Sequence, residues 1–138
     1  MRILCIDYGD ARIGLAISDP LGMTDQMLET IKWRNHIKKP VQRIKELVDY
    51  YGCSAILVGI PRNMDGSVGE RELKTREFIK ILEKEIPQVR IIPYDERLTT
   101  VMAQRAMHDM GIKAKDQKNR IDQMAAAFIL QSYLDSIK

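Results

Sequence analysis

The chain of 138 residues has only two cysteines, two histidines and one tryptophan, and aromatic residues make up 6% of it. Cys5 and Cys53 lie far apart and form no CxxC pair, so a zinc site is not expected. Each sits in or just before an apolar run and reads as a buried or half-buried free thiol. His36 and His108 stand alone on predicted helices, which suits surface or packing roles better than catalysis. The few aromatics do not interleave with the basic residues, which argues against a base-stacking platform. No apolar stretch approaches the length needed to span a bilayer, so no membrane partner is expected. Asp7 interrupts the opening run Met1–Ile6 too early for a signal peptide, and the cytoplasm is the expected compartment.

What remains is an ordinary globular balance, 45% hydrophobic and 30% charged. The length suits a single domain over residues 1–138 with one core. The net charge of +3 is compatible with a polyanionic partner without demanding one.

The apolar pattern predicts strands over 2–7, 12–18 and 27–33, the first two joined by a tight turn at Gly9-Asp10. A helix is predicted over 36–52, closed by Gly52. Residues 55–60 read as a strand buried on both faces and ended by Pro61. Ser67 and Glu70 form a capping-box pattern that starts a helix running to about Glu85, before Pro87. A strand over 89–94, a helix from Thr99 or Thr100 to about Met110, a mobile lysine-rich loop over 112–119 and a last helix over 120–136 complete the chain. The order β-β-β-α-β-α-β-α-α predicts an α/β fold: an antiparallel opening, then parallel βαβ units in one mixed five-stranded sheet flanked by helices. If the strands at 2–7, 55–60 and 89–94 are parallel, one edge gathers Asp7, the turn Gly59-Ile60-Pro61-Arg62 and the run Asp95-Glu96-Arg97. In open α/β sheets that edge is where ligands bind.

Three acids matter there. Asp7 ends an apolar strand, where a carboxylate is costly unless paired; a turn aspartate bonding to the backbone near Gly9 would also account for it. Glu96 follows the last strand beside Asp95, for which an ion pair with Arg97 or an exposed loop position is the better reading. Asp122 opens the last helix and could be its N3 acid, yet Ala125, Ala126, Ile129 and Tyr133 share its face, and that face looks apolar. Three converging carboxylates need cations, and oxygen-only ligation selects Mg²⁺ or Mn²⁺. Two such ions about 4 Å apart can bind the attacking water and the leaving oxygen in phosphodiester hydrolysis. Asp7 is the candidate ligand to both, with Glu96 and Asp122 each completing one side. Arg62 and Arg97 share the edge and could hold a phosphate or neutralise the acids. Lys113, Lys115, Lys118 and Arg120 form a basic segment able to close on a phosphate backbone, or else an ordinary solvated loop.

Four segments now carry a resemblance. Asp7-Tyr8-Gly9-Asp10-Ala11-Arg12-Ile13-Gly14-Leu15-Ala16, Val58-Gly59-Ile60-Pro61-Arg62-Asn63-Met64-Asp65-Gly66, Asp95-Glu96-Arg97-Leu98-Thr99-Thr100 and Ile121-Asp122-Gln123-Met124-Ala125-Ala126-Ala127 resemble, in order, the motifs of the YqgF-type proteins. The resemblance implies an RNase H-like fold related to RuvC resolvases. It also implies a nuclease that matures the 5′ end of pre-16S rRNA, or in an older reading a Holliday junction resolvase. Asp7, Glu96 and Asp122 fall on the family's acidic positions. Ala11 stands where many members carry lysine, and Arg12 could serve in its place. The implied partner is structured RNA or branched DNA, recognised through shape and backbone. A weak dimer would suit junction cleavage, though no segment reads as an interface. Two rivals remain: an actin-like nucleotide-binding protein, since Asp7-x-Gly9 and Gly14 also resemble that phosphate loop, and a non-catalytic RNA-binding assembly factor.

Overall fold

The computed structural model describes residues 2–97, 99, 108–111 and 113–137, with the backbone alone over 114–123. Its strands are β1 (Arg2–Tyr8), β2 (Arg12–Ser18), β3 (Asp25–Lys32), β4 (Cys53–Ile60) and β5 (Arg90–Asp95). Its helices are α1 (Lys38–Tyr51), α2 (Glu70–Glu85) and α3 (Ala114–Ser136). The sheet order is β3-β2-β1-β4-β5. β1 pairs antiparallel with β2, and β2 with β3. β1 and β4 are parallel, as are β4 and β5, so the mixed sheet expected from the element order forms.

Alternation along the strands divides the core in two. Leu4 and Ile6 of β1, with Ile56 and Val58 of β4, join Ile44, Leu47, Phe78 and Leu82 of α1 and α2 on one face. Ile3 and Cys5, with Ala55 and Leu57, meet Ala126, Ile129, Leu130 and Leu134 of α3 on the other. Burying each large apolar side chain of this kind contributes roughly 1.5–3 kcal/mol. Both cysteines are buried and free. Gly52 closes α1 as expected: it takes the left-handed conformation at φ 65° and its N–H donates to the Val48 carbonyl.

Two local expectations are corrected. Ser67 does not cap α2. Its N–H and hydroxyl both donate to Asp65 Oδ1, at 2.8 and 2.6 Å, and its Oγ accepts from Asn63 Nδ2. The helix begins at Glu70 behind Gly69, where an added Cβ would lie 3.1 Å from Asn63 Oδ1. The segment 112–119 is not a loop from 114 onward, because α3 already starts at Ala114 and bends at Met124 (φ −120°, ψ 21°). Alanine, lysine and glutamine favour helix, and that propensity outweighs the polarity that suggested a loop. The helix expected over 99–110 falls mostly outside the described residues.

At the sheet end remote from the C-terminus of β1, Asp25 opens β3 with its Oδ2 buried and, among the described residues, without a hydrogen-bond partner. Burial, followed by the charge of Asp135, pushes its carboxyl up to about 7. In the unfolded chain it ionises near ~4, so the native state holds the proton more tightly and stability falls as pH rises from about 4 through about 7. Asp25→Asn removes that penalty. It is expected to raise the melting temperature by a few degrees at about pH 8, about 1 kcal/mol after allowing for solvent screening. At about pH 5 the change should be small. Paired thermal melts at the two pH values test this; an equal or lower melting temperature at the alkaline value contradicts it.

Candidate metal centre and nucleic-acid interface

The C-terminal ends of β1, β4 and β5 share one edge, and strand parity decides what faces α3 there. Cys5 points to the α3 side, so Asp7, two residues on, does too. Ile92 and Tyr94 do the same on β5, and Glu96 continues that alternation just past the strand end. The Glu96 N–H donates to the Ile60 carbonyl at 3.2 Å, which ties it to the end of β4.

Glycines clear the floor in front of these acids. Gly14 stands opposite Asp7 in the β1–β2 register. A Cβ built on it would lie 3.8 Å from Asp7 Cβ and 3.9 Å from Ala126 Cβ, so the acid, the strand and α3 meet there. Gly59 is tighter: an added Cβ would be 2.8 Å from both Glu96 Oε2 and Ile129 Cδ1. Ala55 and Leu57 fill the same face further down β4. The absence of a side chain at 59 therefore makes room for the Glu96 carboxyl beneath α3. A glycine inside an otherwise apolar buried run was the sequence signal for this close approach.

The charge of Asp7 bears on Glu96. Burial pushes the Glu96 carboxyl up to about 7, the charge of Asp7 adds to that, Arg71 opposes it and Asp95 adds to it. The Cys5 thiol beneath them is raised well above its usual range by burial, with further increments from Asp7, Asp25 and Glu96. It stays protonated and serves as packing.

Asp95 has the opposite fate, although it is the next residue. Its carboxylate takes Arg97 side-on, with Nη2 to Oδ2 at 2.6 Å and Nε to Oδ1 and Oδ2 at 3.1 and 3.0 Å. That clasp holds Asp95 below the usual carboxylate range, as the ion-pair reading expected. Arg97 also donates to the Asn63 carbonyl at 3.3 Å and so braces the loop after β4. Arg62 approaches the buried Glu72 at 3.5 Å, and Arg76 meets the same carboxylate at 2.8 Å. Arg62 and Arg97 are thus engaged by carboxylates other than Asp7 and Glu96. Arg12, at the start of β2 beside this edge, is exposed, as is Lys113 before α3.

Asp122 is carried on α3 one turn before Ala126, but its side chain lies outside the described residues, as do those of Lys115, Lys118 and Arg120. Among the described residues no group of three or more His, Cys, Asp or Glu gathers to hold a metal ion. The described donors at the edge are two carboxylates, which suit a hard divalent cation. Sequence reasoning missed Gly59 as the residue that seats Glu96, and Arg71 as a charge acting on Glu96.

A family model described as RuvX, Holliday junction resolvase, matches residues 1–136. A protein of Acetivibrio thermocellus named "Putative pre-16S rRNA nuclease" is 57% identical over 136 residues, covering 99% of this chain and 96% of that protein. One of the same name from Ruminiclostridium cellulolyticum is 52% identical over 137 residues, covering 99% and 96%. The structure is similar to that of T. thermophilus RuvC in complex with a Holliday junction substrate. The TM-score is 0.56 at 17% identity, over 99% of this chain and 94% of that one. The likeness places the chain in the RNase H-like fold. Among the described residues no helix is long and apolar enough to cross a membrane.

Proposed function

Because this chain belongs to the RuvX family, we propose that it is a divalent-metal-dependent endonuclease that cleaves phosphodiesters in structured RNA, processing the 5′ end of pre-16S rRNA in the cytoplasm. The observation that carries the reading is the meeting of Asp7 and Glu96 at one edge, where burial and mutual repulsion push the Glu96 carboxyl to about 7. A site that penalises its own charge is suited to a cation. Asp7, Glu96 and, on this reading, Asp122 would hold Mg²⁺ or Mn²⁺, as a pair of ions. Bound there, the metal supplies Lewis-acid stabilisation and a water of lowered pKa.

The chain's own residues do the rest. Gly59 keeps the floor open for Glu96, and Ile129 and Leu130 of α3 cover the adjacent sheet and limit water beside it. Arg12 and Lys113 offer exposed positive charge to a phosphate backbone, and Lys115, Lys118 and Arg120 follow Lys113 in the sequence. Tyr8 is stacked on Phe78 at 4.4 Å and Tyr94 packs edge-on against Tyr133 at 5.7 Å. These aromatics near the edge are therefore occupied in packing, and recognition falls to shape and backbone.

The test is cleavage of a pre-rRNA fragment and of a four-way DNA junction by the wild-type chain, with Mn²⁺ and with EDTA. Metal-dependent cuts near the 5′ end of the mature RNA are expected. Preference for the junction would transfer the reading to a resolvase, the activity in the family's description. Stabilisation by ATP without cleavage of either substrate would favour a nucleotide-binding protein instead.

A further inference from the structure

The α2 wall of the edge has a cation that no role above has used. α2 packs on the sheet face opposite α3, and its first turn comes to the C-terminal end of β1. Arg71, in that turn, lines one cleft with Lys74 and Thr75 of α2 and with Tyr8, Gly9 and Asp10, the three residues that follow Asp7. It is exposed, so its guanidinium is open to a ligand.

Its neighbours are already engaged. Arg97 is clasped by Asp95, and Arg62 and Arg76 share the buried Glu72. Lys74 Nζ stands 3.5 Å from both Asp10 Oδ2 and Glu70 Oε1, so it answers the two acids nearest the cleft. A guanidinium held side-on by a carboxylate must give up those bonds before it can take a phosphate, and that exchange offsets most of the gain. Among the described residues no ion pair holds Arg71, although its charge reaches Glu96. Arginine presents a planar fork that fits two phosphate oxygens, and at this position it sits across the sheet edge from the carboxylates.

We propose that Arg71 is a substrate-positioning residue. With a nucleic-acid strand lying across the C-terminal ends of β1 and β4, its guanidinium grips the non-bridging oxygens of the phosphate that flanks, on the α2 side, the one presented to Asp7 and Glu96. The inference rests on the nuclease reading, and two readouts separate their failures. Arg71→Ala is expected to lower kcat/KM on the pre-rRNA fragment by about 10- to 100-fold, most of it in KM, with Arg71→Lys recovering part of the loss. Binding of the same fragment, measured against salt in an Asp7→Asn background, should lose about 0.7–0.9 from the slope of log K against log salt when Arg71 is replaced by alanine. Lys84→Ala, at the far end of α2, should move neither readout. The melting temperature should be unchanged in every Arg71 variant, because the side chain is exposed. An unchanged salt slope in Arg71→Ala overturns the proposal whether or not the chain cleaves RNA. A reduced slope with no cleavage by the wild type upholds the phosphate contact and sinks the nuclease reading instead.

Discussion

Asp7→Asn is expected to reduce cleavage by at least about 10³-fold, equivalent to about 4 kcal/mol of barrier, while the fold persists. The exchange is nearly isosteric, and Asp7 lies at the end of β1 rather than within either apolar cluster. Removing its charge also relieves Glu96 and Cys5 of one repulsive neighbour. The metal-free variant should therefore melt no lower than the wild type. What it should lose is the rise in melting temperature that saturating Mn²⁺ gives the wild type, because a ligand that binds only the native state stabilises it in proportion to occupancy. Single-turnover cleavage and thermal melts with and without Mn²⁺ measure both effects. Wild-type rates from Asp7→Asn would remove the metal mechanism. An undiminished Mn²⁺ shift would move the cation away from Asp7.

Gly59→Ala is the second large effect, and it should separate activity from stability. The new methyl would come within 2.8 Å of Glu96 Oε2 and of Ile129 Cδ1. Both are ends of flexible side chains, so the cost to the fold should stay near the low end of overpacking, about 1 kcal/mol. Activity has less tolerance. Displacing a catalytic carboxylate by about 1 Å can cost on the order of 10²-fold. The expectation is a loss of that size in kcat with a melting temperature only a few degrees lower. Gly59→Val should disturb both more severely. A Gly59→Ala variant with full activity would mean that Glu96 is not held where its function requires it.

Much of the architecture could be read before any coordinates. The apolar run Ala55–Ile60 and the turn residues after it marked a central strand, and β4 lies between β1 and β5. From that placement the shared edge followed, and Asp7 and Glu96 are neighbours there because parallel strands end together. The third acid is placed on α3 by the backbone, with its side chain outside the described residues.

What could not be read was decided by contacts between distant residues. Ser67 and Glu70 have the spacing of a capping box, but Asp65 and Asn63 compete for the serine and win because they are closer in the folded turn. Arg62 and Arg97 are expected on the same edge as the acids, there either to hold a phosphate or to neutralise the carboxylates. Glu72 and Asp95 hold them, and only the packing of α2 and the turn after β5 shows it. Arg71 gave no signal of its own, because it belongs to a charged helical run whose facing partner, the end of β1, is more than 60 residues earlier.

The β1–β2 turn next to Asp7 has one more property. Gly9 closes it so tightly that an added Cβ would lie 2.7 Å from the Arg12 carbonyl. The Gly9 carbonyl accepts the indole N–H of Trp33 at 2.9 Å, and that ring packs 5.9 Å from Tyr8. Trp33 is the chain's single tryptophan. The unlabelled protein thus carries a built-in fluorophore in contact with Tyr8 and Gly9, the two residues that follow Asp7. Its emission spectrum reports on that corner alone, so cation or RNA titrations can be followed by light without attaching a dye.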